Sequence, residues 1–311
     1  MSADAFIHLK SSKSLFSRNV VYENPNGIDG THSYSVRLTD EKLEWLRKDL
    51  ATVDKQTPVF VGMHVPLHKT PTLDDTGRTT TSYNMEDAER FVECLEGYDV
   101  NILTGHTHYN FNITKSERLR EHNIAAVCAT WWWTGHTDYA GNHICRDGSP
   151  GGYKIFEATG SDVRWYYKSI GKDAGYQFRT YDLNECLLEK SDFCPSASDS
   201  DFAKYAFGYD RANDNNEVLI NVFDWADDWK IEVTDLSDDS SLAVQRVRTH
   251  DPLHVISYNM RKLDKKSAMT FPTSYSAHMF KVKARTASSS LRIVVTDGFE
   301  NHYEQIMERP K

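Results

Sequence analysis

Residues 100–108, VNILTGHTH, join a short apolar run to a glycine and two histidines, and this stretch decides the fold of the first part of the chain. An apolar run that ends in glycine is typical of a buried parallel strand, and residues directly after such a strand lie where α/β sheets place their sites. His106 and His108 are therefore candidate metal ligands, because neutral imidazoles suit Zn, Fe, Mn or Ni. Side chains two residues apart on extended backbone point apart, so both can ligate only if the turn redirects them or two metals are present. Two loop histidines without a ligand role are the alternative.

A second apolar strand ends in a histidine about forty residues earlier. Residues 58–67, PVFVGMHVPL, contain an apolar strand that ends in His64, and Pro66 closes the strand just beyond it. Residues 85–97 between the two strands place their apolar side chains on one helical face, with Asn84 as the expected cap and Gly97 as the expected end. Strand, helix and strand predict a βαβ unit with parallel strands, which brings His64 close to the other two histidines.

These motifs resemble those of the calcineurin-like metallophosphoesterases. In that family one strand ends in G-x-H-x-P, matched by residues 62–66, and another ends in G-H-T-H, matched by residues 105–108. A bacterial branch with an extra C-terminal domain adds W-W-x-G and D-G-x-P-x-G-Y, matched by residues 132–135 and 147–153. The resemblance implies hydrolysis of a phosphoester substrate with two divalent metal ions of the Fe, Zn or Mn class, and it implies that His64, His106 and His108 are metal ligands.

Three other family motifs do not occur before His64, namely Asp-x-His, Gly-Asp and Gly-Asn-His-Asp/Glu. In the family these supply the remaining ligands, the bridging carboxylate and the general acid. The resemblance therefore predicts the C-terminal half of an α/β/β/α sandwich domain. By itself such a half should bind at most one metal ion, weakly, and should not hydrolyse substrate. An upstream segment or a second chain would complete the site.

Two further groups of residues are candidate substrate contacts. Residues 68–83 are polar and predict a surface loop, in which His68 is either a substrate contact or a solvated histidine, and Arg78 can grip two phosphate oxygens. Residues 123–130 predict a strand that leads into three tryptophans, which cannot all face one side. We expect Trp132 or Trp133 to form a wall for the leaving group, with core packing as the alternative. Residues 135–138, GHTD, are interpreted as a loop.

The pattern changes after a predicted linker at residues 171–175. Residues 152–157 and 163–167 predict a hairpin around Gly160, and the later part consists of short strand-like runs separated by turns rich in Asp, Asn and Ser. The runs are residues 218–223, 229–234, 242–247, 254–258, 278–284 and 291–296, with residues 284–290 as a hairpin turn. This predicts α/β plus all-β architecture, with one domain over residues 1–175 and a β-sandwich-like domain over residues 176–311.

Composition restricts the possible partners. The 311 residues carry 36 basic and 45 acidic side chains, for a net charge of −9, and no block of Lys or Arg indicates a nucleic-acid surface. No apolar run is long enough for a membrane span, and no export-signal pattern is visible in residues 1–26. We interpret residues 1–26 as an irregular N-terminal segment with one strand near residues 19–23. Five cysteines without a C-x-x-C pair leave the compartment open. The alternative to an enzyme is a non-catalytic module that recognises a glycan or a protein through the β-sandwich.

Overall fold

A computed structural model describes residues 34–135 and 141–310, together with the backbone of residues 14–16 and 20–22. The strand expected near residues 19–23 is present. Most of the irregular N-terminal segment expected over residues 1–26 lies outside the described residues, and so do residues 136–138. The secondary structure is mixed, with many strands and few helices. No helix of the described part has the length and apolarity that a membrane crossing requires.

A five-stranded sheet organises the first part of the chain. The strands in this part are β1 (Ser14–Phe16), β2 (Val20–Tyr22), β3 (Tyr34–Val36), β4 (Val59–Gly62), β5 (Thr72–Leu73), β6 (Thr79–Thr80), β7 (Val100–Thr104), β8 (Phe111–Ser116) and β9 (Leu119–Asn123). The sheet order is β1-β4-β7-β9-β8, in which only β8 is antiparallel to its neighbour. The expected parallel pairing of β4 and β7 is confirmed. The strand expected over residues 123–130 is wrong, because β9 ends at Asn123 and turns follow.

Two helices cover one face of this sheet. Helix α1 (Asp40–Leu50) is capped by Thr39, whose side chain accepts from the backbone N–H of Lys42, and it buries Leu43, Leu46 and Leu50 as its apolar spacing predicts. Helix α2 (Ala88–Cys94) connects β4 to β7 and shares this core. The cap expected from Asn84 is wrong, because its amide donates instead to the carbonyl of Pro66.

A hairpin covers the opposite face. Strands β10 (Gly152–Thr159) and β11 (Asp162–Ser169) turn at Gly160, which has a φ of 61°, and the hairpin prediction is confirmed. Phe156 on β10 packs edge-on against Phe60 of β4, with ring centroids 5.5 Å apart. The Lys154 ammonium, fully buried, lies 2.8 Å from Asp224 in the later part of the chain. The hairpin therefore lies between the first sheet and the C-terminal part.

Two four-stranded sheets form most of the C-terminal part. The strands are β12 (Phe178–Asp182), β13 (Glu217–Val222), β14 (Lys230–Asp235), β15 (Ser240–Ser241), β16 (Gln245–His250), β17 (Tyr275–Lys283), β18 (Leu291–Thr296) and β19 (His302–Met307). Their orders are β12-β13-β17-β16 and β15-β14-β18-β19. Buried apolar side chains of both sheets contribute to one core. Residues 284–290 are not a hairpin turn as expected, because β17 and β18 belong to different sheets.

Short helices complete this part. They are a 3-10 turn (Leu183–Glu185), α3 (Lys190–Phe193), α4 (Asp199–Ala206), α5 (Pro252–His254), a π-helical segment (Val255–Met260) and α6 (Arg261–Asp264). The strand expected over residues 254–258 is wrong. Asp251 caps this helical stretch through the N–H of His254, and Pro252 occupies its first position, which together favour a helix over a strand.

The D-G-S-P stretch joins the two parts of the molecule. The buried carboxylate of Asp147 accepts hydrogen bonds from the backbone N–H groups of Asn110 and Ser149 and from the imidazole of His278 on β17, the last at 3.1 Å. Burial by itself raises the pKa of Asp147, but these hydrogen bonds, led by His278, outweigh it and lower that pKa. Gly148 follows with a φ of 83°. We conclude that this motif docks the C-terminal sheets onto the first part.

Candidate metal centre

The carboxyl ends of β4 and β7 bring two of the candidate histidines into contact. Gly62 is paired with Leu103 in the register of the sheet, and the N–H of Gly105 donates to the carbonyl of His64 at 3.1 Å. As a result, Nε2 of His64 lies 3.1 Å from Nδ1 of His106, and their ring centroids are 4.9 Å apart. Both side chains are exposed, so a ligand can reach them from solvent.

Left-handed backbone redirects the two histidines of the G-H-T-H loop. His106 has a φ of 66° and His108 a φ of 57°, which removes the objection that residues two apart on extended backbone must diverge. Non-glycine residues pay a cost of about 1–3 kcal/mol in sparsely populated backbone regions, and such residues cluster at functional sites. Ten non-glycine residues of the described part have a positive φ, and five of them lie in this loop and the nearby tryptophan loop: His106, His108, Ala129, Trp131 and Trp132.

His108 has its ring fixed by neighbours. Its Nδ1 donates a short hydrogen bond to the carbonyl of Ala129, and its imidazole stacks on Trp131 with centroids 4.0 Å apart and planes 15° apart. A backbone carbonyl on one ring nitrogen is a common way to orient a ligand histidine, since it leaves the other nitrogen unprotonated. The sulfur of Cys128 lies 4.0 Å from the same Nδ1.

The electrostatic environment of His106 and His108 favours the neutral form of these two imidazoles. The imidazole of His106 is open to solvent on one side but partly desolvated, and this partial desolvation, together with the neighbouring imidazoles of His64 and His108, lowers its pKa. Burial also lowers the pKa of His108, and this outweighs the opposing hydrogen bond to Ala129. Neutral imidazole is the form that coordinates a metal.

The His64–His106 pair fits one divalent ion. Two imidazole nitrogens at about 2.0–2.1 Å from a tetrahedral zinc ion lie roughly 3.3 Å from each other. The observed separation of 3.1 Å is close to this value. Within residues 34–135 and 141–310, however, no group of three or more His, Cys, Asp or Glu side chains is arranged to hold a metal ion. The described residues therefore supply a partial ligand set.

Residues that the sequence did not single out also border this centre. The hydroxyl of Tyr34 lies 3.3 Å from Nε2 of His106. Glu121 on β9 has a buried carboxyl that accepts from the backbone N–H groups of Leu67 and His68, which orders the loop after His64. Glu121 had no signal in the sequence analysis, because the strand was expected to begin only at residue 123, and the position of Tyr34 had none either.

His68 occupies a different environment from the one expected. It is buried, and its Nδ1 donates to Glu121 at 2.6 Å while its ring packs against Tyr83 at 4.8 Å. It is not a solvated loop residue, because the carboxyl group of Glu121 draws it into the interior. This position favours a role in ordering the loop over contact with substrate.

Arg78 lies on the β5–β6 hairpin, which contacts β16 and β17 of a C-terminal sheet. The neighbouring Thr79 accepts a hydrogen bond from Arg246 at 3.0 Å and donates one to Asp227 at 2.8 Å. Arg78 lines a cavity of about 610 Å³ with Trp225, Asp227 and Arg246. The expected contact between Arg78 and a phosphate held by the histidines receives no support from this position.

The three tryptophans have different surroundings. Trp131 contacts His108, whereas Trp132 packs edge-on against His143 and Trp133 stacks on Tyr258. Trp132 and Trp133 are 51% and 39% exposed, so neither is a plain core residue. The indole in direct contact with a candidate ligand is therefore Trp131, because its left-handed backbone, with a φ of 48°, turns it towards His108.

These loops define a histidine centre at the carboxyl edge of a parallel sheet. Residues 121–303 match the family described as the C terminal of calcineurin-like phosphoesterase. Since the match spans more than half of the chain, the protein belongs to the calcineurin-like phosphoesterases, a family that is generally metal-dependent and acts on phosphoesters. The three candidate histidines precede the matched residues. The chain matches no curated protein and no solved structure.

Proposed function

We propose that this chain contributes the histidine side of a metal-dependent phosphoester-hydrolase site, with His64, His106 and His108 as ligands. One observation carries the proposal: two imidazole nitrogens of neighbouring parallel strands lie 3.1 Å apart at the sheet edge. Family membership supports the same chemistry.

The residues of the centre would bind and orient one divalent ion. His64 and His106 would share it, and His108, fixed by Ala129, would present its Nε2. A bound divalent ion supplies a Lewis acid that polarises a phosphoryl oxygen. Three neutral imidazoles balance none of the ion's charge, so binding by this chain should be weak until carboxylates from another segment join the centre.

The exposed indoles would receive the leaving group. Trp132 and Trp133 follow the loop that fixes His108, and the ammonium of Lys262 lies 4.1 Å from the centroid of the Trp133 ring. Exposed indoles beside a cation suit an apolar or sugar-like group that carries negative charge. His68, which is bonded to Glu121, and Arg78, which lines the cavity beside Arg246, are not assigned to this wall.

We propose a corresponding division of the chain. Residues 1–175 would be half of an α/β/β/α domain, with the helices, the first sheet and the β10–β11 hairpin as three of its layers. Residues 176–311 would be a β-sandwich made by the two four-stranded sheets, whose common core supports the assignment.

The first test is metal binding by the intact chain. Calorimetric titration with Zn²⁺ or Mn²⁺ should give one weak site that His106→Ala abolishes. His302→Ala, an exposed histidine on β19, is the matched control and should bind like the wild type. Equal binding by the wild type and His106→Ala would refute the assignment, and two tightly held ions would show that side chains other than these histidines also act as ligands.

The second test is catalysis. Hydrolysis of bis(4-nitrophenyl) phosphate by the chain should be no faster than by His106→Ala, because groups that act as one catalytic unit lose nearly the whole rate together. Supplying the Asp-x-His, Gly-Asp and Gly-Asn-His motifs upstream of the chain should give metal-dependent turnover that His106→Ala removes. Metal-dependent turnover by the chain alone, lost in His106→Ala, would contradict the expectation of an incomplete site.

A binding module is the second candidate, and the cavity between the β5–β6 hairpin and the sheets favours it. Its lining combines apolar side chains with Arg78, Arg246 and Asp227, which is the mixture found in ligand pockets of a few hundred Å³. Saccharide binding that Arg78→Ala weakens, in a chain that binds no metal, would favour this function over hydrolysis.

A further inference from the structure

A column of stacked rings runs from the candidate metal centre into the C-terminal part. The imidazole of His108 stacks on Trp131, and the opposite face of that indole stacks on Phe271, with centroids 3.8 Å apart and planes 18° apart. Both faces of the Trp131 ring are therefore occupied, one by a candidate ligand and the other by a residue 163 positions later in the sequence than His108.

Phe271 is held in place by its own surroundings rather than by Trp131. Its N–H donates to the hydroxyl of Tyr258 at 3.1 Å, and the N–H of Thr273 donates to the side chain of Asn259 at 3.1 Å. Both partners belong to the π-helical segment, a conformation that is rare and occurs frequently at functional sites. The C-terminal part thus provides a fixed platform for the ring of Phe271.

A second set of bonds attaches this platform to the loop of the candidate ligands. Nε of Arg146 donates to the carbonyl of Pro272 at 2.9 Å, and the N–H of Ser274 donates to the carbonyl of Arg146 at 3.0 Å. The hydroxyl groups of Ser274 and Tyr109 form a short hydrogen bond, and Tyr109 directly follows His108. Backbone and side-chain contacts therefore fix the segment that carries Phe271 relative to the loop that carries His108.

The stack restricts the motion that the hydrogen bond to Ala129 leaves free. That single bond fixes one nitrogen of His108 but allows the ring to tilt about the bond direction. Trp131, packed between His108 and Phe271, resists this tilt because its indole cannot move away from the imidazole. Removing Phe271 would leave the outer face of Trp131 without its stacking partner.

We infer that Phe271 is a positioning residue, which acts through Trp131 to fix the orientation of His108 and thereby the direction of its free Nε2. This inference rests on the proposed function in taking His108 as a ligand. It also assigns a task to the C-terminal part, which is to complete the walls of a centre whose candidate ligands lie in the first part.

The test uses the full chain with ¹³C,¹⁵N-labelled histidine, in wild type, Phe271→Ala and Phe271→Tyr. His108→Gln identifies the signals of His108. In the wild type the ring protons should be shifted upfield by the Trp131 face, and the nitrogen shifts should show a single Nδ1–H tautomer. Phe271→Ala should move the protons downfield and mix the tautomers, whereas Phe271→Tyr, which retains the ring, should restore the wild-type spectrum.

Phe207→Ala is the matched control, because Phe207 stacks on His250 at 3.7 Å elsewhere in the same part of the chain. It should change the signals of His250 and leave those of His108 unchanged. Unchanged His108 signals in Phe271→Ala would overturn the inference, and so would equal changes in Phe207→Ala, which would indicate general loosening.

Metal affinity provides the second measurement. Loss of a residue that orients a ligand histidine weakens binding about 10–100-fold, so Zn²⁺ should bind Phe271→Ala at least tenfold more weakly than Phe271→Tyr. Equal affinity despite altered His108 signals would overturn the functional part of the inference. If the wild type binds no Zn²⁺ while Phe271→Ala still alters His108, the proposed function fails and the positioning stands.

Discussion

His254 should make the stability of this protein depend on pH in a way that one substitution removes. The ring is fully buried, with Nε2 3.0 Å from the hydroxyl of Thr130 and Nδ1 2.7 Å from the hydroxyl of Thr273. The Thr130 hydroxyl donates to the carbonyl of Ile144, so it accepts from Nε2, and Nδ1 accepts from Thr273. Both nitrogens of the neutral ring are therefore hydrogen-bonded, whereas the extra proton of a charged ring would have no acceptor. Burial, reinforced by the charge of Arg146, lowers the pKa of His254 from 6.5 to about 3.

The magnitude follows from this pKa. The folded state resists a proton that the unfolded chain accepts, so the stabilisation is complete above pH 6.5 and is lost as the pH falls towards 3. At pH 5 the unfolded chain gains about 2 kcal/mol relative to pH 7, on the scale of 1.36 kcal/mol per pKa unit. Urea unfolding of wild type and His254→Gln at both pH values measures this directly, because contributions of all other groups cancel in the difference.

We expect His254→Gln to be less stable than the wild type at pH 7 and the gap to shrink by about 2 kcal/mol at pH 5. His250→Gln is a second variant with the same expected direction, since burial lowers the pKa of His250 to about 4. A gap for His254→Gln that stays constant between the two pH values would refute the reasoning.

Two further predictions concern buried contacts. Asp224→Asn leaves the Lys154 ammonium buried without its charged partner, so it should lower the free energy of unfolding, measured in urea, by about 3–5 kcal/mol. The double variant Asp224→Asn with Lys154→Met should recover part of this loss. If the losses of the two single variants simply added, the pairing would be contradicted. Gly148→Ala should prevent a stable fold, because its Cβ would lie 2.1 Å from the carboxyl of Asp251, while Gly160→Ala, also at positive φ but in open space, should cost only about 1–2 kcal/mol; similar melting temperatures for the two would be contrary evidence.

Local patterns predicted the parts of the fold that local forces determine. The apolar runs and the intervening helical face predicted parallel β4 and β7, and this pairing is what brings His64 to His106. The hairpin at Gly160 followed from alternating apolar and polar residues in the same way.

The predictions failed where contacts between residues far apart in the sequence determine the structure. His68 looked like a loop residue because its partner, Glu121, lies 53 positions away on another strand. The orientation of Trp131 depends on left-handed backbone and on Phe271, neither of which has a signature in the sequence. Residues 254–258 resembled a strand because their apolar content is compatible with either structure, and the cap at Asp251 was the signal that could have corrected this interpretation.

The docking of the Asp147 motif sets an order for the folding of this chain during its synthesis on the ribosome. Its carboxylate is buried against His278, which is translated 131 residues later. At about 5–20 residues per second, roughly 7–26 seconds pass before that partner emerges. During this interval Asp147 can keep its hydrogen bonds to the N–H groups of Asn110 and Ser149 but lacks His278, and Lys154 on β10 lacks Asp224 until that residue is synthesised. The docked arrangement of the two parts can therefore form only after β17 has been synthesised.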